Sequence, residues 1–414
     1  GAFQGYQGFT VHPSDGKLYG FLSHGGTFDA GAIVSFDPAA DSLVTLHSFE
    51  PATQGATPNF APLIVDADTL YGTTSEQGAD GRGTLFRYTL STRVLEVLVE
   101  FSNTTHGQPN AQLFEDSEGN VWGKTYTPPH IIYRFDPSLP QASGNPTVLR
   151  DGIDGNEFFA QKGNTIMGNM GTSTGNTDLS PWYAAVDPPD TDLTFDIGIT
   201  STSPTNPCAQ PHGATLSSAN MTVFAVCSGD RLSDANGTII EIKNQGQVTN
   251  EIIRQAVISD TEFNVLAGMF DGGSGILYGV SVSGIPGFEG FAASVWSLNT
   301  VSSAFVKLFT LPASVGDDIG GIVTPVSGTL YGIASGGGAH DAGSGFSWNI
   351  TDGLETRASL GYPNGAAPLS GGMVASNGNV YGFGRVISPN PNPGNAWYSY
   401  SPETGEMTAK RSEE

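Results

Sequence analysis

Seven histidines and sixteen lysines and arginines supply every imidazole and strong cation in this 414-residue chain, so the places they occupy are informative. His106 and His130 bracket a segment that also carries Lys124 and Tyr126. A histidine can move a proton near neutral pH, and a positioned ammonium or guanidinium can stabilise developing negative charge on a carbonyl or an anion. Lys124 and Arg385 each stand shortly after a glycine, where comparable stretches of the chain carry Thr, Val, Ile or Phe. A charge in such a place needs a partner or a ligand. Two readings stay open: an ion pair to a neighbouring Asp, or binding of an anion or carbonyl group.

Other chemistries leave no mark. The chain has no Walker loop, no His-Glu-x-x-His and no Cys-x-x-Cys, which argues against nucleotide and transition-metal enzymes. The acidic run Asp116-Ser117-Glu118-Gly119 lacks the calcium-loop pattern and reads as a turn. No metal and no cofactor are expected.

The elements that must position these residues come from a repeat. Leu70-Tyr71-Gly72 recurs as Leu18-Tyr19-Gly20, Val121-Trp122-Gly123, Leu277-Tyr278-Gly279, Leu330-Tyr331-Gly332 and Val380-Tyr381-Gly382, with weaker copies at Ile166-Met167-Gly168 and Val223-Phe224-Ala225. The spacings are 52, 51, 45, 57, 54, 53 and 50 residues. A period near 50 means one supersecondary unit repeated. In the second unit a short apolar run (Phe60 to Val65), a turn (Asp66-Ala67-Asp68), the Leu-Tyr-Gly strand, a glycine-rich loop (Ser75 to Gly83), a third strand (Thr84 to Tyr88) and a fourth (Val94 to Phe101) follow in order. Four short antiparallel strands make one propeller blade. The reading is all-β: a single propeller over 1–414, with eight four-stranded blades at about 1–50, 51–102, 103–150, 151–205, 206–258, 259–313, 314–362 and 363–414. Seven blades is the alternative if units four and five are divided differently.

Topology then sorts the loops. Connections between second and third strands open on the same face as the blade-to-blade connections, and the short first turns open on the other. His24, His130 and His340 fall in second-to-third loops, and His106 and His212 in blade-to-blade connections. The irregular-loop face is therefore the expected binding face. Phe28, Tyr126, Trp182, Phe288, Phe291 and Phe383 would give it apolar walls around a few polar anchors, the usual form of a small-molecule site.

The blade grammar resembles the bacterial tandem repeat known as GloVer, whose units run Leu-Tyr-Gly-Thr-Thr, a glycine-rich loop, then a strand ending in Asp-Pro. Leu70 to Thr74, Phe36-Asp37-Pro38 and Phe135-Asp136-Pro137 carry the likeness, and units four and five depart from it. The resemblance implies a propeller and no particular activity.

Forty acidic residues against sixteen basic ones give a net charge of −24, which repels nucleic acid and anionic membranes. No run of 18 apolar residues occurs, so no spanning helix is expected. The chain begins at Gly1 without Met, in keeping with a removed leader. Asn103, Asn220, Asn236 and Asn349 each head an Asn-x-Thr sequon. Cys208 and Cys227 flank an expected hairpin turning at Ser217 to Asn220, a geometry compatible with a disulfide. Together these point to a secreted glycoprotein.

Three functions fit. In length, expected secretion and low charge the chain is similar to the fungal hetero-Diels–Alderases that join a tropolone quinone methide to a macrocyclic sesquiterpene, though no diagnostic motif carries that likeness. It implies a site where His106, His130, Lys124 or Arg385 hydrogen-bonds the tropolone oxygens, while Phe28, Trp182, Phe288 and Phe383 wall the hydrocarbon. His24, Tyr126 and His340 would complete the substrate contacts. The second reading is a β-eliminating lyase of uronic-acid glycans, with His106 or His130 as base beside Tyr126 or Tyr133. The third is a glycan-binding or interaction propeller without catalysis. The partner is accordingly a tropolone- or terpenoid-like small molecule, or a glycan.

Overall fold

Alternating apolar strands separated by Gly-, Asp- and Asn-rich turns fold as antiparallel sheets because each strand can bury one side chain in two on each face. The structure is a computed structural model. It describes residues 9–40, 42–102, 107–116, 118–127, 131–139, 146–150, 158–162, 165–170, 180–185, 194–195, 210–216, 223–228, 238–243, 251–257, 264–283, 292–316, 318–326, 329–335, 337–339, 343–349, 351–359, 366–368, 373–374, 379–386, 395–401 and 403–411.

Eight antiparallel sheets lie within the described residues; seven have four consecutive strands side by side, and in the eighth both Ala366–Pro368 and Met373–Val374 pair with Val380–Val386. The first holds Phe9–Val11, Leu18–Leu22, Ala32–Asp37 and Ser42–Ser48; the second Ala56–Ile64, Thr69–Glu76, Thr84–Thr89 and Val94–Glu100. The third holds Phe114–Glu115, Val121–Lys124, Ile132–Phe135 and Thr147–Arg150, and the fourth and fifth begin at Phe158 and Gln210. The sixth begins at Asn264, the seventh at Asp318 and the eighth at Ala366. Each Leu-Tyr-Gly copy lies on a second strand, as the period requires.

Two compact units are distinguished. One comprises Gly1–Phe158, Pro188–Leu193 and Met373–Phe383; the other Phe159–Asp187, Thr194–Gly372 and Gly384–Glu414. In the first, sheets one and two bury Tyr19, Phe21, Ile33, Phe49, Leu70, Phe86 and Tyr88 together. Sheets two and three do the same with Tyr71, Leu85, Val99, Phe101, Val121 and Tyr133. Tyr381 of the eighth repeat also packs against Phe36 of the first sheet, ring centroids 4.8 Å apart and planes tilted by 50°. In the second unit Val280, Val295, Leu330 and Phe346 form the corresponding core between sheets six and seven.

The repeated glycine has a specific task. Gly72 lies opposite Phe86, Gly123 opposite Tyr133, Gly279 opposite Trp296 and Gly332 opposite Phe346. In each pair the aromatic ring occupies the space that a Cβ on the glycine would need. A ring laid over a cross-strand glycine covers bare backbone and fills the sheet face. At Gly72 the space is shared with Phe21 of the first sheet, 2.5 Å from where that Cβ would stand, and Phe21 meets Phe86 edge-on at 5.5 Å.

Neighbouring inner strands are clamped by side chains. The Gln112 amide donates to Ala61 O (3.0 Å) and accepts from Ala61 N–H (3.2 Å), and Thr10 Oγ1 donates to Pro62 O (2.5 Å). These bonds hold the second sheet's inner strand, which bulges between Asn59 and Leu63 and carries Phe60 at φ +64°. Gln112→Ala removes both amide bonds and is expected to lower stability by about 1–2 kcal/mol, read as a lower urea midpoint at unchanged slope.

Expected and observed strands differ in detail. The inner strand of unit three is short: it pairs at Phe114–Glu115, with an isolated bridge from Pro109 to Thr125 beyond it. His212, expected in a connection, lies within the inner strand Gln210–Leu216, where the pairing steps from Pro211 to Gly213. The hairpin between the cysteines is present as Gln210–Leu216 and Val223–Ser228, and Cys227 pairs with Pro211. Cys208 lies outside the described residues.

Candidate functional site

The glycine-rich loops repeat one backbone frame. In sheets one, two and seven a ring closes through Gly31 N–H to Gly25 O (3.1 Å), Gly83 N–H to Gln77 O (2.7 Å) and Gly343 N–H to Gly337 O (3.2 Å). Outer-strand side chains brace two of these loops. Ala79 N–H donates to Glu100 Oε2 (3.0 Å) and Ala339 N–H to Ser359 Oγ (3.1 Å). Burial raises the Glu100 carboxyl above its ordinary value, against the lowering by the Ala79 and Asp80 amides. In the first loop the brace is internal: Asp29 Oδ1 accepts from Gly25 N–H at 2.8 Å, and Asp29 itself takes φ +53°. That arrangement leaves Phe28 at the loop apex, 56% exposed, and His24 exposed beside Ser23.

Sheet three breaks the pattern. Its second-to-third connection, after Lys124, has no glycine, and side chains replace the backbone ring. Thr125, fully buried, receives Ile131 N–H on Oγ1 (2.9 Å) and donates its own N–H to Ile131 O (3.0 Å). Gln108 N–H reaches Thr127 Oγ1 (2.8 Å), Tyr126 N–H reaches Gln108 O (2.8 Å), and Asn110 N–H reaches Lys124 O (3.2 Å). Two chain segments, 107–110 and 124–131, are thereby tied into one cluster. His106 and His130 lie outside the described residues, but each is one residue from a tied position, Gly107 or Ile131.

Lys124 is only 2% exposed. It occupies the place taken by Phe21 in sheet one and Thr73 in sheet two, the residue after the repeat glycine, and both of these are buried. Phe21 shows which way the position looks, since it packs against the next sheet. Tyr126, two residues on, is 49% exposed.

Other candidates divide clearly. Trp182 lies opposite Gly168, the register at which Phe86, Tyr133, Trp296 and Phe346 cover a glycine in other sheets. Phe383 follows the eighth repeat's glycine, the position of Phe21. Arg385 pairs with Ala367, two residues further along its strand than the place of Lys124. Phe288, His340, Asn103, Asn220 and Asn236 lie outside the described residues. Tyr133 is fully buried, and burial pushes its hydroxyl above the ordinary range; a phenol sealed beneath Phe101 cannot meet a polymer.

Asp116 turns out to be the anchor beneath the cluster. Its carboxylate accepts Trp122 Nε1–H (2.8 Å), Asn120 N–H and Nδ2–H (both 2.9 Å) and Glu118 N–H (2.9 Å). Burial acts to raise this carboxyl, and the four bonds outweigh it and hold it below its ordinary value. The expected turn is there, with a second function of fixing the tryptophan that precedes Gly123 and Lys124. Its signal in the sequence is the repeat itself: Asp15 accepts from Tyr19 Oη–H (2.9 Å) at the matching turn of sheet one. Gly171-Thr172-Ser173-Thr174-Gly175 matches a nucleophile-elbow pattern, but it falls between two antiparallel strands rather than between a strand and a helix, and lies outside the described residues. Among the described residues no group of three His, Cys, Asp or Glu could hold a metal, and no helix is long and apolar enough to cross a membrane.

A model of the Gloeobacter/Verrucomicrobia repeat matches residues 3–180, which supports a GloVer-like tandem repeat in that part of the chain. No curated protein sequence matches the chain significantly. Among solved structures, apo prolyl oligopeptidase B from Galerina marginata is similar at TM-score 0.54 and 9% identity, covering 96% of this chain and 56% of that one. A prolyl endopeptidase is similar at TM-score 0.52 and 8% identity, covering 97% and 55%. An oligogalacturonate lyase in complex with manganese matches over 97% of this chain and 89% of that one at 12% identity; its TM-score of 0.48 is too low to carry an argument. The chain spans little more than half the length of the peptidases, and likeness at such identities shows the fold alone: an all-β propeller.

Proposed function

We propose that the glycine-loop end of the first unit binds a small, largely apolar organic molecule, and that the reaction promoted there is an intermolecular hetero-Diels–Alder cycloaddition. The observation that carries this reading is the departure of sheet three from the repeated frame. Where sheets one, two and seven close a glycine loop on their own backbone, sheet three uses Lys124, Thr125, Tyr126 and Thr127, tied to Gln108 and Asn110. Among the described residues, that non-repeating cluster supports an asymmetric site better than a set of equal sugar sites.

The chemistry suits these groups. A cycloaddition needs no nucleophile; it needs two reactants held in a productive pose, and a donor to draw charge from a carbonyl oxygen. Tyr126 and Phe28 offer exposed ring surface, and His106 and His130, each beside a tied residue, are the proposed donors to the tropolone oxygens. Secretion belongs to the same proposal.

The test is incubation of the pure protein with a hydroxymethyl-tropolone precursor and a macrocyclic sesquiterpene, followed by chiral chromatography and mass spectrometry. A single-enantiomer adduct is expected, and His130→Ala and Tyr126→Ala should each lower kcat/KM by about 10–1,000-fold without moving Tm. Racemic adduct at the uncatalysed rate sinks the proposal. Ultraviolet absorbance from unsaturated uronate on incubation with uronic-acid glycans would replace it with the lyase, and glycan retention without turnover with a binding module.

A further inference from the structure

Asn349 ends the third strand of the seventh sheet, and a tight turn leads from it into the outer strand Gly353–Ser359. The same turn recurs along the chain, each time with a side-chain oxygen at its first residue. Asp37 Oδ1 accepts from the amides of Ala39 (3.0 Å) and Ala40 (3.2 Å), and Asp136 Oδ1 from that of Ser138 (2.8 Å). Asn299 Oδ1 accepts from Val301 (3.0 Å) and Ser302 (2.9 Å), and Asn349 Oδ1 from Thr351 (2.8 Å) and Asp352 (2.7 Å). The turn asks only for that oxygen, which Asp and Asn supply equally.

Position 349 carries more than the turn needs. It has an amide nitrogen, Ile350 rather than proline follows, and a hydroxyl stands two residues on at Thr351. The sibling turns lack one or another of these: Asp37 and Asp136 have no amide nitrogen, and Asn299 is followed two residues on by Val301. Thr351 and Asp352 are exposed. We propose that Asn349 is an N-glycosylation site, modified by a lipid-pyrophosphate-linked oligosaccharide.

The transfer leaves the turn intact. Nδ2 bonds to the anomeric carbon of the sugar, the bond from that carbon to the pyrophosphate oxygen breaks, the lipid pyrophosphate departs and Nδ2 loses one proton. The remaining N–H can still donate to Asp352 Oδ2, now 2.8 Å away, and Oδ1 keeps both backbone bonds. Asn349 lies at the far end of the strand Ser344–Asn349 from the glycine frame that ends at Gly343. A glycan there leaves the glycine-loop end of its sheet uncovered.

Secretion from yeast, then peptide mass spectrometry with and without peptide N-glycosidase, tests the site. A glycan is expected on the Asn349 peptide. Asn349→Asp should abolish it with the fold kept, because Asp37 and Asp136 already do the capping task, though with a small fall in Tm from the lost bond to Asp352, and Thr351→Ala should abolish it while keeping Asn349. An unmodified Asn349 in the secreted protein overturns the assignment, as does a glycan that survives Thr351→Ala. Should a variant fail to be secreted, translation into microsomes gives the same mass readout.

Discussion

An Asp116→Ala variant is expected to lose about 3 kcal/mol of stability. Four donors converge on this carboxylate, and three of them come from Asn120 and Trp122, which are 5% and 1% exposed and cannot turn toward water. Removing the acceptor strands buried N–H groups, at about 1–3 kcal/mol for a group left wholly unsatisfied. Asp116→Asn keeps one acceptor oxygen and should recover part of the loss. The effect also has a pH signature. The folded state holds the Asp116 carboxyl below its ordinary value, so its contribution is present above the unfolded pKa, about 4, and fades as pH falls through the lower folded value. Urea titrations of wild type and Asp116→Ala should therefore converge in acid. Glu115 has the opposite sign: burial first, then the charges of Asp116 and Asp66, raise its carboxyl, so its contribution is present in acid and is lost as pH rises through the raised value. A gap between the two proteins that is the same in acid and at neutral pH would mean that Asp116 is not held as a carboxylate.

Gly83→Ala should cost as much for a different reason. Gly83 has φ +87°, a region that costs an L-residue about 1 kcal/mol. An added Cβ would also stand 2.6 Å from the carbonyl carbon of Thr74 and closer still to its oxygen. Both are backbone atoms, so no rotamer change relieves them. Shifting that backbone would disturb the loop-closing bond to Gln77 and the bond from Phe101 N–H to Gly83 O (3.0 Å), and Phe101 is fully buried. A loss of about 3–4 kcal/mol follows. Gly81 makes the control. Its φ of +81° is nearly the same, yet a Cβ there meets nothing within 4 Å, so Gly81→Ala should cost only about 1 kcal/mol. Equal thermal shifts for the two variants would show that backbone conformation alone, not the clash, governs these loops.

The repeat was readable because its signal is local. Leu-Tyr-Gly marks a second strand wherever it stands, and the spacing between copies bounds each sheet. What the glycine faces was not readable, because that depends on strand register. Trp182 looks like a spare aromatic in a polar stretch, and only the pairing with Gly168 shows it in the place of Phe86 and Trp296. The burial of Lys124 was equally hidden, and shows only where Phe21, in the matching position, packs against the neighbouring sheet. Phe28 kept its exposure because its loop closes on its own backbone and leaves the apex outside any sheet. The tie between residues 107–110 and 124–131 had no local mark at all, since it joins a connection to a loop through Gln108 and Thr127.

The contact of Tyr381 with Phe36 has a consequence for synthesis. Phe36 is 1% exposed in the folded protein, yet the ring that covers it is encoded about 345 residues later. At roughly 5–20 residues per second, a ribosome needs about 20–70 s to deliver that cover. Throughout that interval the emerging first sheet presents an apolar flank with no mate, and every nascent chain on a polysome presents the same one. Translation speed and chaperone occupancy, rather than the stability of the finished protein, should then govern how much of it reaches its native state.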